Sequence, residues 1–158
     1  MKTVSHWKWL CLACVAVLGC VMVGLVLFLE RQTLYPEGVY IGEQLYALDY
    51  ALTQDEQSLG LGGREQLCAT CAMAFPFTIP GKYAFWMKDM RFALDIVWIS
   101  QDGRVVHIEH RIAPESQEVY RSKEPATLVL EFNAGTLDTV SVGDSLRFFS
   151  PASGEASF

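Results

Sequence analysis

Twenty-one consecutive residues without a charge, Trp9 to Leu29, constrain this chain more than any other feature. As a helix rising about 1.5 Å per residue, such a run spans the roughly 30 Å of a bilayer's hydrocarbon. A cleaved signal peptide has a shorter apolar region and a small-residue exit, whereas this run is longer and ends Leu27-Phe28-Leu29-Glu30-Arg31. Val17-Leu18-Gly19-Cys20 resembles a lipoprotein signal, but nine more apolar residues follow Cys20 where such a signal turns polar. The run therefore reads as an uncleaved single-pass anchor, with cleavage of either kind and a buried core helix as the alternatives. Lys2, Lys8 and the amino terminus precede it, and Arg31 follows beside Glu30. The positive-inside rule then expects a prokaryotic cell-membrane protein, N-terminus cytoplasmic and C-terminal domain outside.

The expected organisation is a cytoplasmic segment 1–8, an anchor 9–29, a tether 30–37, one domain 38–149 and a flexible tail 150–158. Residues 30–158 carry 10 basic and 18 acidic groups, a balance of −8. Phosphate contacts need clustered Lys and Arg, and here the arginines are scattered singly, so no nucleic-acid partner is expected.

The domain reads as short strands. Val39–Leu52 has β-type composition. Thr53 and Glu56 form a capping box for a short helix over Gln54–Leu61, stopped by Gly62-Gly63. Pro76 and Pro80-Gly81 punctuate a loop or turn. The longest aromatic and β-branched stretch outside the N-terminus, Tyr83–Ile99, follows. Asp102-Gly103 marks a hairpin leading into Arg104–Arg111. Residues 112–126 read as a loop, Thr127–Phe132 as a strand, Thr136–Val140 as a helical turn and Ser145–Phe149 as the last strand. This spacing favours a mostly β fold with one or two short helices. The expected form is an antiparallel sandwich, jelly-roll-like, or a partly closed barrel, rather than βαβ units.

Phe85-Trp86-Met87-Lys88, then Leu94-Asp95-Ile96, then Asp102-Gly103-Arg104-Val105-Val106 resemble a prokaryotic family, domain of unknown function 192. Leu52–Glu56 with Gly60-Leu61 and Arg64–Leu67, Ala72–Phe75, Leu130-Glu131, Ala134-Gly135 and Val142–Asp144 fit the same pattern in order, so that it covers about 45–148. The resemblance implies a mostly β domain of sandwich or jelly-roll type, often behind an N-terminal signal or anchor. It implies no activity. Gly62-Gly63 stands where the family carries bulkier residues, and Cys68 and Cys71 are outside its pattern.

Lys88 and Asp95 are charges set among residues that favour burial, which costs free energy unless they are paired or wet. Either they brace each other as an ion pair, or they mark a site for a small polar ligand. Trp86, Lys88, Asp95, Glu131 and Arg64 form the candidate ligand-binding set. His107 and Glu109 share a strand face and could form a metal or acid–base pair or a solvated face, whereas His107 and His110 lie on opposite faces. Cys68-Ala-Thr-Cys71 is open to a structural disulfide, a redox pair, a half metal site or two free thiols. No nucleophile elbow or phosphate loop is present. Three functions remain: a domain binding a small ligand or envelope partner without a cofactor or metal, an enzyme (thiol redox through Cys68/Cys71, or hydrolysis through Asp95, Glu131 and His107), or a structural domain. The ligand-binding reading is preferred.

Overall fold

The structure is a computed structural model that describes residues 19–23 and 35–150. Residues 19–23 are helical and exposed, and no helix among the described residues is long and apolar enough to cross a membrane. The rest of the expected anchor, the segment 1–8, most of the tether and the tail beyond Ser150 lie outside the described residues. The chain divides into two compact units between Tyr35 and Pro36, and the second is described by itself.

That unit holds β1 (Gly38–Ile41), β2 (Gln44–Tyr50), α1 (Gln54–Leu59), β3 (Cys71–Gly81), β4 (Ala84–Trp86) and β5 (Leu94–Ile99). β6 (Val105–Ile112), β7 (Val119–Arg121), β8 (Ala126–Asn133) and β9 (Arg147–Phe149) complete it. Seven strands form one sheet in the order β6-β5-β8-β3-β2-β1-β9, and β4 and β7 form a separate two-stranded ribbon. The Val105 N–H donates to the Asp144 carbonyl and the Gly143 N–H to the Val105 carbonyl, both at 2.8 Å. These bonds join the start of edge strand β6 to the segment entering edge strand β9, so the sheet is curled.

The mostly β reading holds, and the strands gather into a single curled half-barrel sheet with a covering ribbon rather than two facing sheets. Most neighbours are antiparallel, but β2 and β3 pair in parallel across a connection that contains α1. β3 runs through Pro76, which stays paired with Leu128, and the register against β8 shifts between Pro76 and Gly81. The segment 112–126 contains β7, because Phe85 pairs with Tyr120 across the ribbon.

Alternation along the strands builds two cores. One gathers Val39, Ala72, Ala74, Val97, Ile99, Leu130, Phe132, Leu137 and Phe148. The other gathers Met73, Phe75, Ile96, Trp98 and Val129 with Leu61, Phe85 and Met87 from the covering segments. β5 is buried at all six positions because both cores use it, which is why its sequence is nearly continuously apolar.

Candidate functional site

Α cleft of about 230 Å³ opens between α1, β3 and the ribbon. α1 starts at the expected capping box: the Glu56 carboxylate accepts from the Thr53 N–H at 2.8 Å and the Leu52 N–H at 2.9 Å. Those bonds hold the Glu56 carboxyl below its ordinary range. The helix has no buried residue, and its Gln54 and Ser58, one turn apart, line the cleft. Gln57 moors it by donating to the carbonyls of Ala51 and Pro76. Gly60 ends it at φ 53 and ψ −132, a positive-φ conformation that favours glycine.

The aromatic lining comes from β3 and the ribbon. Phe77 and Tyr83 stack at 3.5 Å between ring centroids, and Phe85 packs edge-on against Phe75 at 4.9 Å. Trp86, next to buried Phe85, points outward and is 53% exposed. Trp86 and Lys88 stand between the cleft and a second, shallower concavity lined by Pro114, Ser116 and Val119. Asp89, at φ 58, turns the chain just after Lys88, and its carbonyl accepts from the Gly63 N–H at 2.8 Å.

Glu131 also lines the cleft. It is buried at 4% exposure, and its Oε2 has no hydrogen-bond partner. Burial without a donor pushes its carboxyl up to about 8, against a weaker downward pull from Arg64. Near neutral pH it is therefore mostly a protonated acid, able to donate one hydrogen bond and accept others. Arg64 itself is exposed and pairs with Asp49 at 3.0 Å.

Lys88, Asp95 and Glu131 do not converge on one site. Glu131 and Lys88 share the cleft, while Asp95 leaves the sheet on the other face. Asp95 is fully buried and accepts from the Arg111 and Leu137 N–H groups, both at 2.8 Å. The β5–β6 register shifts between Leu94 and Ile96, so His110 and Arg111 together oppose Asp95. Arg111 takes φ 50 there, and the Asp95 carboxylate satisfies the N–H that this bulge frees from the ladder. The brace that the sequence expected between Asp95 and Lys88 runs instead between Asp95 and backbone.

His107 Nε2 and Glu109 Oε1 lie 2.8 Å apart on one face of β6, with the His107 ring against Trp98. Neither lines the cleft. Asp95, His110 and Asp138 bring one potential ligand atom each within 4.8 Å of one another, but backbone donors engage Asp95, and Asp138 pairs with Arg111. Cys68 and Cys71 are joined as a disulfide with 5.2 Å between Cα atoms, at the entrance to β3. The Asn133 amide donates to the carbonyls of Leu67 and Cys68, tying that turn to the end of β8.

Of the sequence candidates, the cleft uses Trp86, Lys88 and Glu131. It adds Gln54, Ser58, Phe77 and Tyr83, which the sequence did not single out. The available signal was α1 itself, a capped helix with no apolar face to bury.

Among curated proteins none matches the chain. Two crystal structures resemble it. One, from Sinorhizobium meliloti 1021, carries the name "putative transcription regulator": 29% identity, TM-score 0.64, covering 70% of this chain and 90% of that one. The other is a protein of unknown function from Novosphingobium aromaticivorans DSM 12444: 29% identity, TM-score 0.65, covering 70% and 82%. The model of the family DUF192, described as "Uncharacterized ACR", matches residues 39–148, and the chain belongs to that family.

Proposed function

We propose that the domain binds a small polar ligand in the cleft between α1, β3 and the ribbon. One observation carries this reading: the buried, unpartnered Oε2 of Glu131 at an open concavity. A buried polar atom without a partner costs roughly 1–3 kcal/mol, which a ligand hydrogen bond would recover. Lys88 supplies a cation at the rim, and Trp86, Phe77 and Tyr83 supply apolar area.

The hydrolytic alternative needs Asp95, Glu131 and His107 together. Asp95 is on the opposite face with both oxygens engaged, and His107 is bound to Glu109. A thioredoxin-type role needs a cysteine at a helix N-terminus, and Cys71 instead begins a strand. Nucleic-acid binding, suggested by the name of one structural neighbour, is disfavoured by the −8 balance of residues 30–158.

We place the domain outside a prokaryotic membrane, behind a single-pass anchor at 9–29. The support is the uncharged run, its basic N-terminal flank and the suitability of a disulfide to an oxidising exterior. An envelope component is then the natural ligand or partner. A membrane-impermeant protease should cut the domain in intact cells, and full protection would reverse the orientation.

The binding reading is tested by thermal shift of the purified full chain with a panel of envelope-derived sugars, amino acids and peptides. A ligand at 100 times its Kd stabilises by about 2.7 kcal/mol. No shift with any member overturns the reading.

A further inference from the structure

We propose that the ligand is a neutral pyranose ring, free or at the end of a glycan, with its C–H face on Trp86 and its hydroxyls on Glu131, Gln54 and Ser58. This rests on the binding reading above and names the ligand class.

The lining excludes the other classes in turn. A phosphate or sulfate group seeks several cations or convergent backbone donors, and this cleft carries one cation, Lys88, and an acid beside it. A cationic ligand would meet a Glu131 that is mostly neutral near pH 7, and it would approach past Lys88 and within the field of Arg64. A wholly apolar ligand would seal Glu131 Oε2 away from any donor. What remains is neutral, rich in groups that both donate and accept, and apolar on one face.

A pyranose has those properties. Its hydroxyls match a carboxyl in either protonation state, the Gln54 amide and the Ser58 Oγ, which donates to the Gln54 carbonyl and keeps its lone pairs to accept. Its axial C–H groups suit the face of an exposed indole, and Trp86 is exposed to 53% at the rim. The volume of about 230 Å³ lies below the roughly 300–1,000 Å³ of sites for drug-sized ligands, so it suits one ring rather than a chain of them.

The test is calorimetric titration of the full chain in a detergent without a sugar headgroup. Neutral monosaccharides, their N-acetylated forms and short oligosaccharides form one panel, and amino acids and simple amines form the other. Saturable binding of sugars is expected. Trp86→Ala should weaken it by at least about tenfold while leaving the melting temperature unchanged. Glu131→Leu should abolish it, and Glu131→Gln, which keeps a donor and an acceptor without a charge, should retain part of it. Binding of monosaccharides identifies the free ring, and binding of oligosaccharides alone identifies a glycan end. If only amines or amino acids bind, and Glu131→Gln abolishes that binding, the saccharide proposal falls while the cleft reading stands. If neither panel binds, both fall.

Discussion

Asp95 and Glu131 lie on adjacent strands one position out of register, and their carboxyl groups leave the sheet on opposite faces. One is saturated with backbone donors, and the other has none. Two acids of similar burial therefore differ in what surrounds them: one holds the fold through backbone donors, and the other is the group on which the proposed binding reading rests.

Asp95→Ala removes the acceptor of two backbone N–H groups, that of Leu137 buried and that of Arg111 partly so. A donor left without its acceptor costs about 1–3 kcal/mol, so a loss of roughly 2–6 kcal/mol is expected for the two in denaturant unfolding. Asp95→Asn keeps one acceptor oxygen and should cost about half as much.

Glu131 makes stability fall with pH. Its folded-state carboxyl titrates near 8 against an ordinary value of 4.5, so the folded state holds the proton that the unfolded state releases. The stability linked to that proton is fully present below about 4.5 and is lost as pH rises through about 8. Between those limits the slope is roughly 1.4 kcal/mol per pH unit. A melting series from pH 5 to 9 should show a decline in the parent chain, and Glu131→Gln should flatten it. A parent profile level across that range would contradict the burial of this acid.

Lys88 is exposed and belongs to none of the salt bridges found among the described residues. Lys88→Met should therefore change stability by no more than about 0.5 kcal/mol. A large loss would restore Lys88 as an internal brace.

Gly62 is fixed by close approach rather than by its dihedrals. A Cβ there would stand 2.8 Å from the Leu59 carbonyl oxygen and 3.1 Å from that of Lys88, both backbone atoms with little room to move. Gly62→Ala should cost about 1–3 kcal/mol and weaken ligand binding, because it pushes the end of α1 from the Lys88 turn.

The Cys68–Cys71 link closes a very short loop, so the chain-entropy estimate for its removal is about 2 kcal/mol. The double Cys68→Ser, Cys71→Ser variant should lose no more than that and bind ligand normally. A loss of binding would connect the disulfide to the cleft.

The parts of the fold legible in sequence were those encoded locally. Thr53 and Glu56 announced the start of α1, and Asp102-Gly103 announced the β5–β6 turn. β7 was hidden because residues 119–121 become a strand only against residues 84–86, far away in sequence. The parallel pairing of β2 and β3 was hidden for the same reason, since a six-residue helix is too slight to advertise a crossover. At the candidate site, Trp86, Lys88 and Glu131 were legible as polar or bulky residues in apolar surroundings. The partner of Asp95 was not, because a bulge is a mismatch of strand lengths and only the paired strands reveal it.

The two bonds between Val105 and the 143–144 turn reach beyond geometry. An open sheet presents two rows of unused N–H and C=O groups to any passing chain, and that invites strand-on-strand aggregation. Here each edge is partly occupied by the segment next to the other. A domain held at high local density on a surface would gain from that, since neighbouring copies find less backbone to add to. Loss of β9 would expose β1 and release the start of β6 together, so a truncation before residue 143 should reveal itself first as clumping.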